Sequence, residues 1–161
     1  TIQKAADIAQ PGDTVLVYAG IYRERVKPLR GGTSEGNRIL YMAKPREHVI
    51  ITALDIWNPA WSKEANLYYA TPSNTMFTDS NYVDGGNPFK IGYMSSKDSI
   101  CLGQVVINGI EYNEQKSKTA ANAATNTWWA DQKTGTIYIH FDGNPANKKV
   151  EIVKRRGDFR P

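Results

Sequence analysis

The sequence is poor in the features that would assign it quickly to a class of protein. It has one cysteine in 161 residues, Cys101, so no disulfide can form within the chain. Cys101 lies in the apolar run Ile100-Cys101-Leu102 without a recognisable partner motif, and we interpret it as a buried structural thiol rather than a nucleophile. No stretch approaches the roughly 20 apolar residues that span a bilayer. We therefore predict no membrane partner.

Metal-binding and nucleic-acid-binding patterns are also missing. The two histidines, His48 and His140, are far apart and belong to no group of Cys or clustered acids, so we predict no metal site and no cofactor. The net charge of +4 comes from scattered Lys and Arg, with one basic cluster formed by Lys154, Arg155, Arg156 and Arg160. Without an RNA-binding or zinc-finger motif, we interpret this cluster as a solvated strand end and predict no nucleic-acid partner.

A pair of catalytic carboxylates is not recognisable either. Glycoside hydrolysis requires two carboxyl groups held about 5 to 9.5 Å apart. Asp79 and Asp84 have suitable side chains, but nothing in the sequence places them on a rigid element, and we interpret them as surface loop acids. Asp142-Gly143-Asn144 lacks the twelve-residue EF-hand pattern and predicts a turn. We therefore predict no catalytic residue within this chain.

The composition that remains is that of a folded, mainly β protein. Hydrophobic residues make up 40% and charged residues 22% of the chain, which excludes disorder. Nine Tyr and four Trp against four Phe favour half-buried strands and surfaces that meet sugars. Short apolar runs ended by Gly or Pro recur about every ten residues in the first third of the chain. They predict strands at residues 14–18, 21–26, 38–43 and 48–53.

A short amphipathic helix is predicted before these strands. Its apolar positions recur at helical spacing at Ile2, Ala5, Ala6, Ile8 and Ala9. Pro11-Gly12 ends the pattern after about two turns. A helix of that length is marginal alone in water, so we expect it to pack on the strand that follows. Because the chain opens at Thr1 inside this helix and without an initiator Met, we expect a processed or trimmed piece of a longer protein.

Two β-hairpins are predicted in the second half of the chain. Asn108-Gly109 between apolar runs is a strong hairpin signal. The second hairpin joins residues 127–131 to residues 136–141, with Asp131 opposite Thr136 and therefore Trp129 opposite Tyr138. Alternation of side chains predicts a core face made of Trp128, Ala130, Ile137, Ile139 and Phe141. Residues 114–126 predict an exposed loop, and residues 71–99 yield no clear assignment.

The other face of this hairpin carries the candidate substrate-binding residues. Trp129 and Tyr138 lie there with His140, and the two rings would suit stacking on a sugar. Trp61 is a weaker third candidate. The alternative interpretation, which the residues favour, is structural: a second sheet or the segment 114–126 covers this face.

The first 24 residues combine a helix, the stop Pro11-Gly12-Asp13, a strand and Gly20-Ile21-Tyr22, in that order. This run resembles the opening of pectate-lyase-like, right-handed parallel β-helix proteins, in which a short helix caps the first rung. The later segments 31–41, 106–109, 128–139 and 150–152 are similar to bacterial β-helix glycosidases related to the β-xylosidases. In that group a β-sandwich interrupts the solenoid after its first rungs.

The resemblance implies a mainly β fold in three parts. These are a capping helix and first β-helix rungs at 1–54, an inserted antiparallel β-sandwich at 55–153, and a return to the β-helix at 154–161. It further implies the amino-terminal part of a secreted, periplasmic or cell-surface protein that acts on plant or microbial polysaccharide or oligosaccharide. A glycoside hydrolase is favoured, with catalytic residues outside this chain. The implied partners are carbohydrate and the remainder of its own β-helix.

Other functions stay open at this point. The chain could belong to a polysaccharide lyase, or it could be a non-catalytic carbohydrate-binding or scaffold module. A surface or phage adhesin is a further alternative, because β-helices serve there also and a fold does not decide function.

Overall fold

The structure, a computed structural model, describes residues 1–77, 86–90 and 100–155. In these residues the protein is mainly β, as predicted, with short strands and two short helices. The chain divides into two compact units. The first is Thr1–Ala53 and is resumed at Arg155, and the second is Leu54–Lys154. Neither helix described is long and apolar enough to cross a membrane.

The first unit consists of one helix and two pairs of parallel strands. The helix α1 spans Ile2–Ile8, and the strands are β1 Thr14–Val17, β2 Gly20–Tyr22, β3 Leu40–Ala43 and β4 Val49–Ile51. β1 pairs with β3 and β2 pairs with β4. Parallel neighbours need a long connection between them. Residues 18–39, which include β2 and a 3₁₀ turn at Glu35–Asn37, connect β1 to β3, and residues 23–48, which include β3, connect β2 to β4. The predicted strand 21–26 is shorter in the structure, because β2 ends at Tyr22.

The helix α1 is held by hydrogen bonds at its start and by its buried face. The Thr1 hydroxyl accepts the N–H of Lys4 at 3.2 Å, while the Glu24 carboxylate accepts the N–H groups of Ile2 and Gln3, both at 2.9 Å. The first N–H groups of a helix have no partner within it, so these bonds satisfy them. Ile2 and Ala6 are buried. This confirms the predicted helix.

The core of the first unit is thin. Its buried cluster consists of Ile2, Ala6, Val17 and Val26. Several apolar side chains of the paired strands stay outside: Leu16 is 42% and Met42 39% exposed, and these two residues lie opposite each other in the register. An apolar groove of about 400 Å³ lies between α1 and the strands, lined by Ile2, Val17, Tyr41, Met42, Ala43, Val49 and Ile51. The first unit therefore leaves much apolar surface uncovered.

The second unit contains two sheets and one helix. The five-stranded sheet has the order β10-β11-β12-β7-β6, formed by Asn113–Glu114, Thr127–Asp131, Thr136–His140, Leu67–Ala70 and Ser62–Glu64. The four-stranded sheet has the order β5-β13-β8-β9, formed by Leu54–Ile56, Val150–Val153, Val105–Ile107 and Ile110–Glu111. Within these sheets only β10 and β11 pair in parallel. The helix α2 spans Lys118–Ala123, and 3₁₀ turns lie at Asn74–Phe77, Pro88–Lys90 and Pro145–Asn147.

Both predicted hairpins are confirmed. β8 and β9 turn through Asn108 and Gly109, whose φ angles of 52° and 82° are the left-handed values that a tight hairpin turn requires. β11 and β12 pair with the predicted register, which places Trp129 opposite Tyr138. The predicted core face is buried at Trp128, Ala130, Ile137 and Ile139. Phe141, beyond the end of β12, is half-buried.

Trp128 of β11 is the largest fully buried side chain among the described residues of the second unit. Its Nε1–H donates to the carbonyl oxygen of Tyr112, just after β9, at 2.9 Å. Its ring meets Phe89 edge-on, with centroids 5.6 Å apart. A side chain at Gly103, just before β8, would collide with both rings. Glycine at this position therefore allows the two aromatic rings to pack closely against the backbone.

The segment predicted as an exposed loop, residues 114–126, contains regular structure instead. It includes the end of β10 and the helix α2, whose N-cap Ser117 accepts the N–H of Ala120 through its side chain. Ala121 is buried, and its carbonyl oxygen accepts the Thr127 hydroxyl at 3.1 Å. Six residues are too few to show helical periodicity, and a helix this short depends on tertiary contacts. That is why the sequence pattern missed it.

Candidate functional site

Three aromatic side chains stand side by side on the outer face of the five-stranded sheet. Trp129 of β11 lies directly opposite Tyr138 of β12, which lies opposite Tyr69 of β7. The ring centroids are 5.4 Å apart for the first pair and 5.2 Å for the second. All three side chains are half-buried. We call Trp129, Tyr138 and Tyr69 the aromatic row.

Lys118 of α2 covers the middle of the aromatic row. Its Nζ lies 4.5 Å from the centroid of the Tyr138 ring, within the range of a cation–π contact. The same ammonium donates to Oε2 of Glu64 in β6 at 2.6 Å. This hydrogen bond raises the pKa of Lys118, and burial opposes the increase. The Lys118 ammonium is therefore charged at neutral pH and is held in place over Tyr138.

The arrangement of the row determines which ring faces are open to a ligand. Tyr138 has Trp129 on one side and Tyr69, nearly parallel at 26°, on the other. A sugar stacks on the face of an aromatic ring, so Tyr138 is poorly placed to receive one. The end members, Trp129 and Tyr69, each border an open cleft.

The two clefts on either side of the row differ in chemistry. The lysine cleft has a volume of about 310 Å³ and is lined by Lys116, Ser117, Lys118, Trp129, Ala130, Asp131, Gln132 and Lys133. The hydroxyl cleft has a volume of about 410 Å³ and is lined by Pro59, Ala60, Ser62, Tyr69, Ala70, Thr71, Thr136 and Tyr138. Both volumes lie within the range of small-ligand sites, about 300–1,000 Å³. The first cleft carries charge, while the second is lined without any charged side chain.

The structure brings two of the three predicted sugar-binding residues together. Trp129 and Tyr138 are neighbours in the row, whereas Trp61 packs edge-on against Trp57, with centroids 5.0 Å apart. The helix α2, which lies in the segment 114–126, covers part of this face. It covers His140, which is 9% exposed and has its Nδ1 3.1 Å from the carbonyl oxygen of Ala121, and its Lys118 lies over the Tyr138 ring.

Tyr69 and Lys118 were missed by the sequence analysis. Tyr69 lies about 70 residues before its partner strand, and no local signal indicates that pairing. Lys118 lies in the helix that was predicted as a loop. The only sequence signal for it was Ser117, a residue type that favours helix starts, followed by a run rich in alanine.

Cys101, which the sequence also singled out, lies beside Glu114 in the second unit. Cys101 is a buried free thiol, as predicted. Burial raises the pKa of Cys101 and the charge of Glu114 adds to the increase, so the reactive thiolate is disfavoured. Burial also raises the pKa of Glu114, whose Oε1 accepts the N–H of Cys101 at 2.8 Å.

Several other predictions concern metals, acids and the basic cluster. In the described part of the chain, no three His, Cys, Asp or Glu side chains lie close enough together to hold a metal ion. Asp79, Asp84, Arg156 and Arg160 lie outside the described residues. Lys154 forms an ion pair with Asp55 at 3.3 Å.

Comparison with known proteins gives one informative match. No protein-family model matches the chain, and no curated protein gives a significant match. A solved structure, XylC in complex with xylose, aligns with the whole of this chain at a TM-score of 0.75 and 28% sequence identity. The chain is similar to part of XylC. It spans 29% of the XylC chain.

The likeness to XylC covers both units of this chain, because the alignment includes all of its residues. It supports a carbohydrate-related, mainly β fold.

Proposed function

We propose that this chain is the amino-terminal part of a secreted, carbohydrate-active β-helix protein, a glycoside hydrolase whose catalytic residues lie outside these 161 residues. The observation that carries the proposal is the similarity to XylC along the entire chain, at a length that is 29% of XylC. XylC was solved with xylose, so a neutral pentose or a related sugar is the proposed substrate class.

The first unit supports the β-helix part of the proposal. Its two strand pairs are parallel, and β1 and β2 each pair with the strand two positions later in the chain. The groove beside Ile2 and the exposed side chains of Leu40, Met42 and Ile50 are apolar. Uncovered strand edges and apolar ends need a neighbouring layer. We propose further rungs of the same β-helix as that layer.

The return of the chain to the first unit supports the proposed insertion. The Arg155 N–H donates to the carbonyl oxygen of Ala53 at 3.3 Å, so the chain re-enters the first unit where it left it. A domain inserted into another leaves and returns at adjacent points, and chain ends that lie close together make such insertions tolerable. The second unit, with its own two sheets, is the proposed insert.

The experiment compares this chain with a longer product of the same gene. We expect the longer protein to hydrolyse xylo-oligosaccharides or an aryl β-xyloside, with a free sugar as product. The isolated chain should show no turnover, because the proposed catalytic residues lie outside these 161 residues. An unsaturated sugar product would indicate a lyase instead. Turnover by the isolated chain, or a longer protein inactive on every saccharide tested, would contradict the proposal.

A second candidate function is a carbohydrate-binding module, favoured by the position of Trp129 beside an open cleft. In that case the isolated chain binds a saccharide by calorimetry, and Trp129→Ala abolishes binding while the circular dichroism spectrum is unchanged. Trp61→Ala is the matched control, since Trp61 packs on Trp57. Absence of binding to any glycan would count against this function.

A further inference from the structure

The lysine cleft differs from the rest of the aromatic row in its charge. Three lysines line it, Lys116, Lys118 and Lys133, against one acid, Asp131. Asp131 is used within the hairpin turn, where its two oxygens accept the N–H of Lys133 and the hydroxyl of Thr134, both at 3.0 Å. The cleft therefore has an excess of positive charge around the Trp129 ring.

Two of the three ammonium groups are available to a ligand. Lys118 is engaged by Glu64 and by the Tyr138 ring. Lys116 and Lys133 are exposed, and neither forms an ion pair with a described residue. Long basic side chains beside an aromatic face can approach a ligand that lies on that face. An anion on such a ligand would meet two cations that have no other ionic partner in the described structure.

We propose that the lysine cleft binds an acidic sugar, with the pyranose ring of a uronosyl residue stacked on Trp129 and its carboxylate between Lys116 and Lys133. This inference rests on the proposed carbohydrate function and names a charged substrate class for one cleft. A uronosyl residue matches both components of the cleft, because it carries an apolar ring face and a carboxylate attached directly to that ring. A simple inorganic anion would use the lysines and leave Trp129 without a role.

The two clefts together suggest how a branched saccharide would lie. The hydroxyl cleft offers Ser62 together with Thr71 and Thr136, whose Oγ1 atoms are 2.7 Å apart. Hydroxyl groups of this kind suit the hydroxyls of a neutral sugar. The aromatic row lies between the two clefts, so a neutral chain on one side and an acidic substituent on the other are compatible with it.

The test measures binding of three matched ligands to the full 161-residue chain by calorimetry. The ligands are a xylo-oligosaccharide with one glucuronic acid substituent, its neutral methyl ester, and the unsubstituted oligosaccharide. We expect the acid to bind about tenfold more tightly than the ester at low salt, since each exposed ion pair contributes modestly. That advantage should shrink as the ionic strength rises.

Two double variants test whether the charges of Lys116 and Lys133 cause the preference for the acidic ligand. Lys116→Gln with Lys133→Gln should reduce binding of the acid to the level of the ester. Lys4→Gln with Lys148→Gln removes the same charge from exposed positions elsewhere and should leave the preference intact. Trp129→Ala should weaken binding of acid and ester alike, and tryptophan fluorescence and circular dichroism establish that each variant is folded.

Three results would overturn the inference: equal affinity for acid and ester, an unchanged preference in the Lys116/Lys133 variant, or no binding of any of the ligands. Failure here is distinguishable from failure of the proposed function. Binding of neutral and acidic ligands with equal affinity rejects the acidic-sugar site and leaves the carbohydrate function standing. Turnover by the longer protein tests that function independently of this cleft.

Discussion

Both units of this protein contain strands rich in apolar residues, but they bury these side chains to different degrees. In the first unit, one helix and parallel strand pairs form a small buried cluster of Ile2, Ala6, Val17 and Val26, while Leu16, Met42 and Ile50 stay exposed. In the second, two mainly antiparallel sheets form, and every residue of β8 and β13 is buried. Antiparallel strands can be joined by a tight turn, whereas parallel strands need long connections and layers on both faces. The comparison indicates that the second unit is the more self-sufficient.

Tryptophan fluorescence separates the two units experimentally. All four Trp residues, at 57, 61, 128 and 129, belong to the second unit, and the first contains none. Unfolding followed by fluorescence therefore reports on the second unit, while amide hydrogen exchange resolves the strands of the first.

The largest expected effect is the loss of the central ring of the second unit. Trp128→Ala should lower its free energy of unfolding by about 3–5 kcal/mol, because it leaves a cavity beside Phe89 and removes the donor to the Tyr112 carbonyl. Urea unfolding monitored by fluorescence measures this. Trp129→Ala is the same chemical change on the half-buried face and should lower the free energy of unfolding much less. Equal losses for the two variants would show that the assigned core face is wrong.

A smaller effect is expected in the first unit. Ile2→Ala should lower its stability by about 2 kcal/mol, at the low end for a buried isoleucine, because Ile2 already borders an open groove. Hydrogen exchange of β1 and β3 amides should accelerate, with little change in tryptophan fluorescence. Ile8→Ala, in the same helix but at a residue that is 67% exposed, is the control. If the Ile8 variant were as damaging, the orientation of α1 would be contradicted.

The smallest effect concerns pH and the second unit. Burial raises the pKa of Glu114 in the folded state, so the native protein binds a proton more readily than the unfolded chain. Stability contributed by this group is therefore present below the ordinary glutamate pKa, near 4.3, and is lost as pH rises through the higher folded pKa. Glu114→Gln should remove this decline while keeping an acceptor for the Cys101 N–H.

The measurement for Glu114 is the unfolding midpoint of both proteins from acid to neutral pH. The unfolding midpoint of the Glu114→Gln variant should rise relative to that of the wild type as the pH increases. Parallel curves over that range would mean that the carboxyl titrates alike in the folded and unfolded chain.

Local sequence patterns were sufficient to predict the elements that short-range interactions determine. The helix at Ile2–Ile8 followed from its spacing of apolar residues and the Pro11-Gly12 stop, and the register of Trp129 and Tyr138 followed from the loop that joins their strands. Helix α2 was missed because its six residues depend on contacts outside the helix, such as those of the Ala121 carbonyl oxygen with the side chains of Thr127 and His140. The candidate site was half predicted: Trp129 and Tyr138 came from alternation, whereas Tyr69 and Lys118 did not.

The sequence by itself determined that the chain is mainly β, which faces of the β11–β12 hairpin are buried, and that Cys101 is a buried thiol, because alternation and turn chemistry act over a few residues. Only the tertiary structure decided which strands become neighbours. The pairing of β7 with β12 joins segments about 70 residues apart, and the burial that selects it depends on the whole sheet. The hydroxyl cleft depends on that pairing, because Tyr69 and Ala70 of β7 line it together with Thr136 and Tyr138 of β12, whereas the lysine cleft depends on the position of α2 beside β11.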